Sequence, residues 1–202
     1  MEYTFTLKYA LPPAEADLDA LVEQLGAQGC TDATVGVGQR GRLALEFTRS
    51  ASSAHAALQS ALNDVAQAIP IAVLVEAGPD FVGLSEVAAC VGVTRQNLHK
   101  LTQAHAATFP APVHDGSAPT WHLVDVLNWL AENQAYRLDR TWIELATATK
   151  QANLLNHITH HQFTPTIAQP LATAQRYDSR RKRVVLTLAS GAELAFKPFQ
   201  TV

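Results

Sequence analysis

A chain of 202 residues, 48% hydrophobic with mean hydropathy near zero, has material for two small cores, and none of its apolar runs reaches the roughly 20 residues that span a bilayer. Its start, MEYTFTLKYALPP, lacks the basic-then-apolar order of a secretory signal, so the expected location is cytoplasmic, with Cys30 and Cys90 as buried reduced thiols. The net charge of −3 excludes a uniform basic coat for nucleic acid, but the charge is graded: −6 over residues 1–80, −1 over 81–150 and +4 over 151–202.

The acidic front alternates two periods. YTFTLKYAL (3–11) alternates apolar and polar residues like a half-buried strand, and AEADLDALVEQLGAQG puts Leu18, Leu21, Val22 and Leu25 on one helical face. DATVGVG, a GQRG turn and RLALEFTRS read as a hairpin. SSAHAALQSALNDVAQAI is a second helix with Ser52 or Ser53 as N-cap, and IAVLVEAG is a fourth strand. The order βαββαβ predicts a ferredoxin-like domain over residues 1–80. Gln39, Arg40 and Arg42 cluster at the hairpin turn, where solvation is the simplest reading. The segment holds no carboxylate pair, Ser/His/Asp set or Gly-rich phosphate loop, so it is expected to dimerise or sense rather than catalyse.

The middle segment, GLSEVAACVGVTRQNLHKL (83–101), predicts two short helices joined at Gly92. Ser85 is positioned to cap the first, with Val87, Ala88 and Val91 inward. Thr94 is positioned to cap the second, with Leu98 and Leu101 inward. Arg95, Gln96, Asn97, His99 and Lys100 lie on the other side. Arg and Lys donate to guanine O6 and N7, and Asn or Gln pairs with adenine, so this face suits a recognition helix in a major groove. The alternative is an amphipathic pair that only fills a core.

FPAPVHDGSAPTWHLVDVLNWLAEN then offers a Pro-bounded strand, a turn at Asp115-Gly116, a return strand near Trp121, and a helix. Gly92-Val93-Thr94-Arg95, Phe109-Pro110-Ala111-Pro112, Gly116, Trp121, Asp125-Val126 and Trp129-Leu130 together resemble the winged helix-turn-helix of the MerR superfamily, especially its AlpA/excisionase-like members. The resemblance covers about residues 82–133. It implies a winged domain over 81–133 that binds double-stranded DNA and self-association through the following helix; no cofactor is expected. Family members commonly carry an arginine before the wing tryptophan; this chain has Pro119-Thr120, and only His114 and His122 as wing cations. Phe109, Trp121 and Trp129 are expected to be core.

From Val124 to about His160 the chain contains neither Pro nor Gly and predicts helix with a break near Asp139–Thr141. Residues 134–163 are read as a helical dimerisation or linker segment, with packing onto the first domain as the alternative. His157, His160 and His161 have helical spacing but no carboxylate or thiol nearby, so no metal is expected. Residues 164–202 read as a linker and a basic hairpin, with strands around Ser190-Gly191 and a cluster Arg180, Arg181, Lys182 and Arg183 for phosphate contact. This hairpin resembles the opening of a small bacterial domain of unknown function seen near toxin–antitoxin genes.

The expected whole is an α+β protein: a ferredoxin-like domain, a winged helix-turn-helix, a long helix and a terminal hairpin. The expected role is that of a homodimeric, sequence-specific transcriptional regulator, not an enzyme. Its DNA contacts would come from Thr94, Arg95, Gln96, Asn97, His99 and Lys100, with the 180–183 cluster in support. Two rivals remain open at this level: a DNA-binding antitoxin that also holds a toxin, and a winged protein-interaction module that binds no DNA.

Overall fold

The structure, a computed structural model, describes residues 1–12, 18–36, 41–133, 136, 138–160, 174–178, 183–187 and 193–196. The fold is α+β: six helices and nine strands among the described residues, with every strand pair antiparallel. Two compact units divide the chain, residues 1–157 and 158–202. No helix among the described residues is long and apolar enough to cross a membrane.

The first unit begins with β1 (Glu2–Ala10), α1 (Leu18–Ala27), β2 (Ala33–Gly36), β3 (Arg42–Ser50), α2 (Ala54–Ala68) and β4 (Val73–Gly78). The sheet runs β2-β3-β1-β4. Strict alternation sends Tyr3, Phe5, Leu7 and Tyr9 of β1 and Leu43, Leu45 and Phe47 of β3 to one face, where they meet the small inward residues of α2. Phe5 and Phe47 stack across the β1–β3 register at 5.4 Å. Ser53 is the α2 N-cap, accepting from Ala56 N–H at 3.2 Å. Arg49 ties β3 to its surroundings: Nε and Nη2 donate to Asp32 (2.7 and 2.9 Å), and Nη1 donates to Asp64 (2.7 Å) and Ser60 (3.0 Å). Cys30 is buried and Cys90 half-buried, both free. Burial pushes the Cys30 thiol up to about 11, helped by the nearby Asp64 charge, so it is unreactive at neutral pH.

The chain then forms β5 (Phe81–Val82), α3 (Leu84–Val91), α4 (Arg95–Ala104), β6 (Trp121–His122) and α5 (Leu123–Asn133). β5 pairs with β6 through Phe81 and His122 and through Val82 and Trp121. These elements close a second core around Val87, Leu98, Leu123, Leu127 and Leu130. Phe109, Trp121 and Trp129 belong to it: Phe109 meets Trp129 edge-on at 4.9 Å, and Trp121 Nε1 donates to the Pro110 carbonyl at 2.9 Å.

α6 (Arg140–His160) joins the two cores. Leu145, Ala148 and Ala152 pack on the sheet core, and Trp142, Ile143 and Ala146 on the second. A helix buried on two sides shows no single apolar stripe, which is why its sequence pattern looks broken. Residues 142–152 therefore pack on both cores of the first unit. α5 ends at Asn133 and α6 begins at Arg140, beside the break expected near Asp139–Thr141. Asp139 starts α6 by accepting from Thr141 N–H at 2.9 Å, and the Thr141 hydroxyl and N–H hold its carboxyl below the usual range.

Three polar contacts fix the joint. Asn153 Oδ1 accepts from Ala77 N–H (2.7 Å) while its Nδ2 donates to the Ala77 carbonyl (2.9 Å) and to Asp80 Oδ2 (2.7 Å). His122 Nδ1 donates to the other Asp80 oxygen at 2.6 Å. Lys150 holds both oxygens of Asp125 at 2.7 and 2.8 Å.

The second unit contains β7 (Ala174–Asp178), β8 (Arg183–Thr187) and β9 (Glu193–Phe196) in that order. The expected hairpin is the β8–β9 pair, but a third strand precedes it, so the terminal element is a three-stranded meander rather than a hairpin. Five residues, AQRYD, are too few for a clear period; pairing with β8, Tyr177 opposite Val184, makes them a strand.

Candidate nucleic-acid interface

The α3–α4 unit is built by local rules. α3 is capped two residues earlier than expected: Gly83, not Ser85, is its N-cap, and Glu86 reaches back to accept from Gly83 N–H at 2.7 Å. The motif misleads because Ser85 looks like a cap, whereas Glu86 three residues after Gly83 completes the reciprocal half of a capping box. Gly92 ends α3 at φ 71°, ψ 31°, in the left-handed region, and Val93 N–H returns to the Ala88 carbonyl at 3.0 Å. A Cβ at Gly92 would meet nothing within 4 Å, so only the backbone demands glycine. Gly92→Ala is thus expected to lower stability by about 1 kcal/mol, or roughly 2–4 °C in Tm, with Gly92→Asn milder; a thermal melt checks both.

Thr94 caps α4, its Oγ1 accepting from Asn97 N–H at 3.2 Å. Leu98 is wholly buried and Leu101 half-buried, which fixes the rotation of the helix. At 100° per residue the direction opposite Leu98, Leu101 and His105 is held by Gln96, His99, Lys100 and Gln103. All four are exposed, with Arg95 exposed on one flank. Asn97 lies on the other flank, where Nδ2 donates to the Tyr136 hydroxyl at 3.4 Å. Gln103 and Tyr136 were not anticipated. The first was legible one helical repeat beyond Gln96; the second, 39 residues from its partner, was not.

Between α4 and β6 a short loop is closed by a bridge between His114 and Thr120, with Val113 N–H donating to the Thr120 carbonyl at 2.7 Å. A Cβ at Gly116 would stand 2.7 Å from His114 Nε2, so glycine there keeps the imidazole over the loop. His114 is exposed, whereas His122 is occupied by Asp80. From residue 101 to 136 there is no Lys or Arg. Asp125 of the tryptophan-containing motif serves structure, joining α5 to Lys150 of α6.

Of the basic tail cluster, Arg180, Arg181 and Lys182 lie outside the described residues, and Arg183 is the first residue of β8. Gln39, Arg40 and His161 are also outside them. Arg42 is exposed at the start of β3. No group of three His, Cys, Asp or Glu side chains that could hold a metal occurs among the described residues. Compared with protein-family profiles, curated proteins and solved structures, the chain matches none.

Proposed function

We propose that this protein is a sequence-specific, double-stranded-DNA-binding transcriptional regulator acting as a homodimer, with a ferredoxin-like domain over residues 1–80 and a winged helix-turn-helix of MerR/AlpA type over 81–133. The β2-β3-β1-β4 order supports the first assignment. The left-handed Gly92 turn, the capped α4 and the bridged wing support the second.

The observation that carries the reading is the outer face of α4. Arg95, Gln96, His99, Lys100 and Gln103 stand exposed without an acid among them, on a helix anchored by Leu98. In this mechanism α4 enters the major groove. Gln96 is placed to pair with an adenine edge, and Arg95 and Lys100 donate to guanine or phosphate. Thr94, whose oxygen already accepts from Asn97, keeps its O–H for a phosphate beside the helix N-terminus. Asn97, tied to Tyr136, serves the flank rather than the centre. Competition between the chain's own upstream duplex and a random duplex tests this: wild type prefers the former, and Gln96→Ala reduces that preference about tenfold while leaving non-specific binding unchanged. Equal binding to both duplexes by wild type contradicts it.

A second reading is favoured by one observation, the wing without Lys or Arg. In it the winged domain is a protein-contact surface that binds no DNA. Absence of binding to any duplex at low salt supports that reading.

A further inference from the structure

We propose that Gln103 is a second base-reading residue beside Gln96, so that each half-site carries two A·T pairs three base steps apart. This rests on the DNA-binding reading of α4 and deepens it by naming what the helix selects.

The rotation of α4 singles out two side chains. Leu98 is wholly buried and Leu101 half-buried, and their mean direction fixes the inward side of the helix. At about 100° per residue, Gln96 points about 10° to one side of the opposite direction and Gln103 about 10° to the other. His99 and Lys100 diverge from that line by about 50° on either side, and Arg95 by about 90°. A helix about 10–12 Å across fills a major groove about 12 Å wide. Side chains on the outermost line then meet base edges, while those well off it lean toward the phosphates of the groove walls. The charges follow that division: the outermost line holds two neutral amides, and the cations Arg95 and Lys100 flank it.

Glutamine pairs bidentately with adenine N6 and N7. Gln96 and Gln103 are both exposed, and neither side-chain amide has a partner among the described residues. The seven-residue spacing places them about 10.5 Å apart along the axis, close to the ~10.2 Å of three base steps.

The end of the helix leaves room for this second contact. Beyond Gln103 come Ala104, Ala106 and Ala107, small and exposed, and no acid occurs from Val87 to His114. Nothing in that stretch repels a phosphate or holds the C-terminal half of α4 away from the groove. A helix that met DNA with its first turn alone would leave Gln103 in solvent.

Fluorescence-anisotropy competition with the chain's own upstream duplex, each base pair exchanged in turn, tests the assignment. Wild type should lose affinity about tenfold at two A·T pairs three steps apart in each half-site. Gln103→Ala should flatten the discrimination at one of these pairs and Gln96→Ala at the other, with affinity for a random duplex unchanged in both. Both positions are exposed and alanine suits a helix, so the variants keep the fold, which circular dichroism confirms. The proposal is overturned if both variants flatten the same pair, or if the two pairs stand at another spacing. A wild-type preference that Gln96→Ala alters and Gln103→Ala leaves intact at every pair also overturns it, while the regulator reading stands. A wild type without any preference removes both.

Discussion

Asn153→Leu is expected to lower the unfolding free energy by about 3 kcal/mol, although the two side chains share the same branched shape. Asn153 is 2% exposed on α6, and its amide engages the Ala77 N–H and carbonyl as a neighbouring strand would. β4 is an edge strand, and Asn156 Nδ2 adds a donor to its Leu74 carbonyl at 2.9 Å. Two asparagines therefore seal an edge that would otherwise offer its backbone to another chain. Leucine leaves both Ala77 groups and one oxygen of the buried Asp80 without partners. Each such group costs about 1–3 kcal/mol, with partial relief from water at the opened joint. The expected Tm loss is about 6–12 °C for a chain of this size. Asn153→Asp should be worse at neutral pH, because it faces Asp80 with a second carboxylate, and acid should partly rescue it. A variant as stable as wild type would remove Asn153 from the joint.

Arg49→Met should cost about 2–3 kcal/mol, read from urea unfolding. The guanidinium side chain is 11% exposed, and its removal strands Asp32 and Asp64 near each other. The figure is below that for a fully buried pair because both carboxylates are more than a quarter exposed. Arg49 also lies 5.0 Å over the Phe47 ring, and methionine keeps only part of that contact. The pair makes stability depend on acid. The bonds from Arg49 hold the Asp32 carboxyl below its ordinary value. Its stabilisation is therefore complete above the unfolded value of about 4 and is lost as pH falls through the folded one. Wild type should lose stability below about pH 4 by a step that Arg49→Met largely lacks.

What could be read from the sequence was local. The alternation in β1 and β3 set the buried face, and Ser53, Gly92 and Thr94 marked helix ends by the conformation each favours. The spacing of Leu98 and Leu101 alone defines the outer face of α4. What could not be read was every contact between distant segments. Asn153 looks like an ordinary polar helix residue until Ala77, 76 residues earlier, lies against it. Asp80 and His122 each resemble surface residues in isolation, and only the β5–β6 pairing brings them together. α6 buries apolar residues on two sides, and that blurs the single-face period on which a helix reading depends. Separation along the chain, 39 residues, likewise hid Tyr136 beside Asn97.

The central claim is that α4 reads DNA, and its most direct measurement is a salt series of binding to the chain's own upstream duplex, wild type beside Arg95→Ala/Lys100→Ala. Wild type should bind with affinity that falls steeply as salt rises. The double variant should lose its preference for that duplex, and the slope of log affinity against log salt should shrink by roughly two, about one per phosphate-contacting cation removed. Identical slopes and preferences in the two proteins, or no binding by either at low salt, would contradict the claim and direct attention to the protein-contact reading.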